Sequence, residues 1–554
     1  MIVLGVHGSA DSEAHDASAA LVIDGVLVAA AEQERFSRNK HAVGENPTDA
    51  IAFCLDHGGL TLSDVDALAV GWNEHGGRIH RVEGRRRETD AHWLDILPSS
   101  RFPDEFLPPT YYVRHHLAHI VAAHQLSGYE SCACLCVDGQ GESESVSLAH
   151  ATPDGIEWIR SYDRIHSLGM FYEEAAHYVG LGYNNPGKFM GLASYGRPVL
   201  ELPLTFDEEA GRFINELAGL AEGKSTSADL FASYRDHFIR SCYPFTQGSP
   251  ETLMHYLDFA ASAQHLVNEV MLGLARYLHQ VTREPRLVVC GGVALNCSAN
   301  REIDEAGPFK EVFIPPAAND ASIAIGAAIE VCRIHGESRR SAPMRVATLG
   351  AARPQTWSPA SLEELDLEFV ALQDDELAER VARDLANDEM VAWYHGRAEF
   401  GPRALGARSL LANPTKRHSL VRVNHAKKRE MWRPIACSIL EEEYSTVFSD
   451  RESPLCRFML KACKVRPGWW SRIPACVHID GTCRPHTVSC QDFPVYHQVI
   501  RRFHRMTGVP LVINTSLNRA GEPIAQTPDD AVRVFRACPE IETLVIDDYY
   551  IRRR

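Results

Sequence analysis

The chain has 554 residues, 45% of them hydrophobic and 23% charged, a balance that excludes a disordered, collagen-like or coiled-coil protein. Its length suggests roughly two to four globular units. With 56 basic against 73 acidic side chains the net charge is −17, which argues against non-specific nucleic-acid binding and polybasic membrane attachment. The opening MIVLGVHGSADSE has no basic leader, no apolar run approaches the roughly 20 residues that span a bilayer, and the fifteen cysteines include no C-x-x-C pair. A reduced, cytoplasmic protein is expected.

In chain order, MIVLGVHGS reads as a strand, HDASAALVIDG carries a second, and VLVAAAEQERFSR follows the turn at Asp24-Gly25 as a third. The phrase returns at 131 in SCACLCVDGQGESESVSLAHATPDGIEWIRSYD, with its own turn at Asp154-Gly155. Two three-strand openings, each followed by helical sequence, predict a duplicated α/β core; two unrelated hairpins are the alternative. Cys132, Cys134 and Cys136 fall on one face of a strand and read as core.

Between the copies lies His115-His116-Leu117-Ala118-His119, whose first and last histidines share one helical face. Such a pair is either a metal-binding pair or a packed cluster. Asp138 ends a strand before Gly139, and Asp320 stands where a small-residue helix starts in PPAANDASIAIGAA. Two histidines and two aspartates suit Fe(II), Mn(II) or Zn(II) better than Ca(II). The loop Asn184–Gly191 offers Lys188 to an anion but lacks the Walker A spacing. Cys290-Gly291-Gly292 follows a buried-type strand and runs through Asn296 into a helix, where glycine N–H groups can approach a phosphate.

Residues 336–358, rich in Ala, Arg, Pro, Ser and Gly, read as a linker, and a strand–helix–strand pattern opens a second α/β unit near 355. From Arg397 to Ala436 ten Lys or Arg meet only Glu399 and Glu430, a local charge of +8. Arg403, Arg408 and Arg433 sit beside Gly, Pro, Ser and Trp, as placed residues do, and forked guanidiniums suit phosphate and carbamate oxygens. Val512–Pro523 reads as a strand entering a polar turn, whose Asn and Thr side chains either bind a ligand or cap the turn.

HDASAAL, EQERFSRNKH, HHLAH, VDGQGE, NNPGKFMGLA, GGVALN, GPRALGARSLL, MWRPIA and NTSLNRAGEPI occur in this order between residues 15 and 524. Together they resemble the ATP-dependent O-carbamoyltransferases of antibiotic and nodulation-factor biosynthesis. The resemblance implies an α/β protein in two parts. Residues 1–345 would form a duplicated actin-like, ribonuclease-H-like carbamoyl-transfer domain with a metal site. Residues 346–554 would form a carbamoyl-adenylate-forming domain resembling the YrdC fold. It implies Fe(II) or another divalent metal on His115, His119, Asp138 and Asp320, with Mg-ATP and carbamoyl phosphate as co-substrates. Donor contacts fall on His15 and Lys40 in the first part, with His41 also matching, and on Arg403, Lys427, Arg433, Arg484 and Asn514 in the second. Gly291, Gly292, Asn296 and Lys188 would hold the adenylate in the first domain. His15 is the candidate general base, the alternative being that it only hydrogen-bonds the donor. The acceptor would be a hydroxyl of a small secondary metabolite, an antibiotic sugar or macrolide glycoside, with no nucleic-acid or membrane partner, in a monomer or homodimer. Acceptor specificity is sought in 200–260, where Asp229, Tyr234 and Asp236 are candidates beside the plainer reading as surface residues. A threonylcarbamoyl-type tRNA-modifying enzyme, a sugar kinase and a non-catalytic actin-like nucleotide-binding protein are the competing readings.

Overall fold

Three strands at the N-terminus, Ile2–His7, Ser18–Ile23 and Val26–Glu32, pair antiparallel in succession, as their apolar runs and the Asp24-Gly25 turn predict. This computed structural model describes residues 1–9, 14–86, 91–217, 227–241, 256–337, 339, 341–363, 365 and 367–553. Ala67–Val70 and then Thr110–Val113 extend the sheet in parallel from Ile2–His7, and Ile79–Val82 closes its edge.

Cys132–Val137, Glu144–Thr152 and Gly155–Asp163 repeat the antiparallel triplet. Arg286–Cys290 and Glu311–Phe313 then add in parallel beside Cys132–Val137. Both sheets thus run third, second, first and fourth strand and then one further parallel strand, with Ile79–Val82 as an added edge in the first sheet, so the duplication read from the sequence is present as topology. That arrangement is the actin-like one. Helices His115–Ser127 and Ile323–Ile334 lie against each other between the copies. Their backbones approach so closely that a Cβ on Gly326 would stand 1.8 Å from the Ala118 carbonyl oxygen. The strand carrying Cys132, Cys134 and Cys136 is buried on both faces, and all three are core thiols.

Residues 336–359 contain neither helix nor strand among those described, as expected of a linker. Beyond them Leu367–Ala371, helix Asp374–Ala386 and Met390–Tyr394 give the expected strand–helix–strand. They enter an eight-stranded mixed sheet in which Arg408–Ala412 pairs with Met390–Tyr394, followed in order by Leu511–Ser516, Cys437–Leu440 and Pro485–Val488.

The segments before and after the linker are joined by buried charge. The Lys461 ammonium, 0% exposed, sits 2.6 Å from Asp304 and 2.5 Å from Glu305, and Arg451 reaches the other Asp304 oxygen at 2.7 Å. Arg301 pairs with Asp450 at 2.8 Å beside them. Removing one partner of such a pair leaves a buried charge uncompensated. Lys461→Met is expected to cost about 3–5 kcal/mol, read as a lowered urea midpoint with an unchanged slope.

Candidate active site

The four residues singled out as metal ligands converge. His115 opens its helix and His119 follows one turn later, both fully buried, with their Nε2 atoms facing the same point. Asp138 leaves the end of strand Cys132–Val137, and its Oδ1 accepts the Gly139 and Gly292 amides at 2.8 and 2.9 Å. That leaves Oδ2 facing His115 at 3.1 Å and His119 at 3.2 Å. Asp320 begins the short turn before helix Ile323–Ile334; its Oδ1 lies 3.7 and 3.4 Å from the same two nitrogens. One ligand atom from each residue falls within 4.8 Å of all the others. Nitrogen and oxygen ligands about 2.1 Å from a tetrahedral ion stand about 3.4 Å apart, so this donor set fits a first-row divalent cation. Burial alone would lower the His119 imidazole, but its hydrogen bonds to Asp138 and Asp320 raise it to about 10, a measure of the negative charge gathered here. His116 takes no part: it turns to the Ser147 hydroxyl at 2.8 Å, and burial drives it down to about 3.

The glycine loop has a different task from the one expected. The Gly292 N–H is directed at Asp138, and Gly291, at φ +87°, passes so close to Val137 that a Cβ would lie 2.3 Å from its carbonyl oxygen. Asn296 caps its own helix through the Ser298 and Ala299 amides at 3.2 and 3.1 Å and pairs with the Gln264 carboxamide. Gly292 thus braces the metal-binding group, while the Asn296 carboxamide is engaged by its own helix and Gln264.

Asp16 was not singled out from the sequence, yet it organises this region. In left-handed backbone at φ +56°, it meets His15 and His41 at 3.2 Å each and accepts from the Asn319 amide at 2.7 Å, one residue before Asp320. Burial would raise its carboxyl, but the two histidines hold it well below the usual range. In return its hydrogen bond lifts half-exposed His15 to about 10 against desolvation, with Asp320 and Asp138 adding. The Asp16 contact orients the His15 imidazole beside the metal-binding group, a geometry open both to donor binding and to a general base. Lys40 is exposed, and Arg433 and Lys188 are near enough to repel its ammonium.

A cavity of about 480 Å³ separates the two parts of the chain, lined on one side by Gln264, Asn268 and Ser298. Arg403, Arg429, Arg433 and Arg484 line the other. Among the described residues, Arg403, Arg429 and Arg484 have no carboxylate within 4.0 Å, and each has a buried guanidinium nitrogen without a partner. Burial, then repulsion from Arg484 and Arg433, lowers Arg403 to about 9; Arg429 falls as far for the same reasons. Cations held together at this cost define an anion site.

Arg429 was counted in the basic run but not picked out; in sequence it is one cation among ten. Lys427 departs from expectation. Its ammonium points into the fold, bonded to the Asn518 Oδ1 at 2.5 Å, the Asn518 carbonyl at 3.1 Å and the Ser516 hydroxyl at 3.2 Å, and it does not line the cavity. Asn514 is also buried; its amide donates to the Ala404 carbonyl at 3.1 Å and Ser438 at 2.8 Å, bracing the residue beside Arg403. Lys188 forms an ion pair with Glu430 at 3.4 Å, linking the NNPGKFMGLA loop to the arginine segment. Of the acceptor candidates, Tyr234 is core, packed on Phe171 and Phe238, while Asp236 is exposed. Asp229 is half-buried on the same helix, and 218–226 and 242–255 lie outside the described residues. No helix among the described residues is long and apolar enough to cross a membrane.

A duplicated actin-like sheet pair with a histidine–aspartate group, facing a second α/β unit across an arginine-lined cavity, defines a nucleotide- or phosphate-handling class. The family models place it further: Carbamoyltransferase N-terminus matches residues 5–83 and 87–329, and Carbamoyltransferase C-terminus matches 382–553. The chain belongs to the carbamoyltransferase family. Nodulation protein NolNO of Sinorhizobium fredii is 33% identical over 98% of this chain and 79% of its own. Nodulation protein U of Rhizobium tropici is 29% identical over 92% of this chain and 90% of its own. Among solved structures, T. kodakarensis HypF is 12% identical with a TM-score of 0.35, covering 62% of this chain and 49% of that one.

His119→Ala is expected to abolish binding of one Mn(II) or Fe(II) per chain while leaving the fold intact. Metal content after gel filtration checks it: a variant that keeps one ion per chain refutes the assignment.

Proposed function

We propose that this protein is an ATP-dependent O-carbamoyltransferase working in two steps, with residues 1–345 as the transfer domain and 346–554 as a donor-forming domain of YrdC-like type. The observation that carries the reading is the set of four arginines lining the cavity at the junction, in a chain of the carbamoyltransferase family. Mg-ATP and carbamoyl phosphate together bring several negative charges, and a carboxylate-poor, arginine-lined cavity lowers the cost of placing them in contact.

Carbamoyl phosphate first loses inorganic phosphate to water, leaving carbamate. A carbamate oxygen then attacks the α-phosphorus of ATP, and the bond to the β-phosphate oxygen breaks to release pyrophosphate. Carbamate itself is a poor electrophile because its anionic oxygen leaves badly; adenylation turns that oxygen into part of a phosphate leaving group. In this scheme Arg403, Arg429, Arg433 and Arg484 hold the phosphate oxygens, and Asn514 keeps the Arg403 loop in place. In the second step an acceptor hydroxyl attacks the carbamoyl carbon, the bond from that carbon to the phosphate oxygen breaks, and AMP departs, the hydroxyl proton passing to the leaving phosphate or to water. Protonated His15 and Lys40 are suited to the adenylate phosphate as negative charge returns to it. His115, His119, Asp138 and Asp320 would hold a divalent cation, which when bound supplies Lewis-acid polarisation of the donor. The acceptor class proposed is a hydroxyl of a secondary metabolite, such as an antibiotic sugar or macrolide glycoside. The net charge of −17 weighs against a tRNA acceptor.

Purified protein with Mg-ATP and carbamoyl phosphate should release pyrophosphate and phosphate without any acceptor, and Arg403→Ala should lower that rate about 10²–10³-fold. ADP as the sole nucleotide product, or no effect of carbamoyl phosphate, overturns the scheme and favours a kinase.

A further inference from the structure

One residue of the arginine loop is gripped from the opposite end of the sequence. Glu32, at the end of strand Val26–Glu32, and Arg35, in the short helix after it, are both buried, with side chains 6% and 4% exposed. The Arg35 Nε and Nη2 atoms converge on Glu32 Oε2 at 3.1 and 2.8 Å. Arg35 Nη2 also donates to the Gly401 carbonyl at 2.6 Å, while the Gly401 N–H donates to Glu32 Oε2 at 2.9 Å. The ion pair therefore satisfies both backbone groups of one residue, as a neighbouring strand would.

Gly401 lies between the loops that lead to both sites. It lies two residues before Arg403, and the loop beyond is tied down by Glu399, which accepts the Leu405, Ala407 and Arg408 amides at 2.8, 2.8 and 3.0 Å. On its other side, at φ +113°, Gly401 has room for no side chain, because a Cβ would stand 2.7 Å from the carbonyl oxygen of Pro316. Pro316 is in the loop that ends at Asp320. A third connection runs through Glu34, which pairs with Arg35 at 3.0 Å and accepts the His41 N–H at 2.7 Å, and His41 in turn meets Asp16. A buried ion pair is weak as a source of stability, since apolar residues of similar volume often serve as well. What an apolar pair cannot do is hold both the N–H and the carbonyl of Gly401.

We propose that Glu32 and Arg35 are a positioning pair: by fixing Gly401 they set Arg403 in the anion cavity and the Asp320 loop beside the metal-binding group, so that the two sites keep one fixed separation. The kinetic part of this inference rests on the donor-forming reading above; the structural part does not.

Full-length protein, Arg35→Met and the uncharged double variant Glu32→Gln/Arg35→Met test both parts. Hydrogen exchange should quicken about tenfold or more in segments 396–410 and 314–322 of both variants, while helix Leu257–Thr282 is unchanged. Unaltered exchange in the two segments, or a uniform rise along the chain, overturns the inference. In carbamoyl-phosphate-dependent pyrophosphate release, Arg35→Met should lose about 10–100-fold in kcat/KM in the parent. It should lose less than about threefold when added to Arg403→Ala, with partial rescue by Arg35→Lys. Equal losses in both backgrounds would mean that Arg35 does not act through Arg403. A parent protein with no such release would sink the functional reading instead, and the exchange measurement would then decide the positioning pair alone.

Discussion

Like charges crowded out of water are the constraint around which this molecule is arranged. On one side of the junction two carboxylates, Asp138 and Asp320, face each other across two buried imidazoles; on the other, four guanidiniums share a cavity. Neither group is neutral by itself, and each raises the free energy of the empty protein. Such arrangements persist only where the surrounding fold leaves the charges no alternative and a ligand of opposite sign removes the cost. A dication answers the first imbalance and phosphate oxygens the second.

The scaffold meets that demand with backbone. Strands Cys132–Val137 and Arg286–Cys290 run parallel, so their ends lie together and the Gly292 amide can orient the carboxylate that the neighbouring strand delivers. The helix carrying His115 and His119 lies against the one that follows Asp320, and only Gly326 allows that approach. All four ligands thus leave secondary elements of the duplicated core, which is how a site is held to within fractions of an ångström. The arginines come instead from loops of the second sheet, and they depend on braces such as Glu399, Asn514 and the Glu32–Arg35 pair.

This division explains what the sequence disclosed. Strand triplets separated by Asp-Gly turns carry a period and a punctuation, so the duplicated core was legible, as was the helical spacing of His115 and His119. Asp138 and Asp320 stood at a strand end and a helix start, where aspartate also serves as a cap, so it was the histidine pair and the ordered motifs that set them apart. Asp16 was hidden beside His15, since its importance comes from left-handed backbone and from Asn319, about 300 residues away. Glu32 and Arg35 lay within the EQERFSRNKH motif without being singled out, for the same reason: their partner Gly401 is some 366 residues away. The glycines of GGVALN and the ammonium of Lys427 make contacts within the protein that their motifs do not disclose. A motif shows that a residue type is required at a place, but whether its polar atoms face a ligand or the protein is decided by tertiary neighbours.

The charge of the whole chain bears on how its substrates arrive. A net −17 opposes the approach of polyanions at long range, yet salt screens that term within about 8 Å at physiological ionic strength. Inside the cavity the balance reverses, because low-dielectric walls preserve the field of Arg403, Arg429, Arg433 and Arg484. Anions are therefore selected at the site and not gathered over the surface. This suits small substrates present at high concentration, and it disfavours a nucleic acid, which needs a basic face of its own length. In the proposed scheme it also favours keeping the acyl adenylate out of the acidic exterior, so that transfer toward Lys40 and His15 proceeds across the junction and away from bulk water.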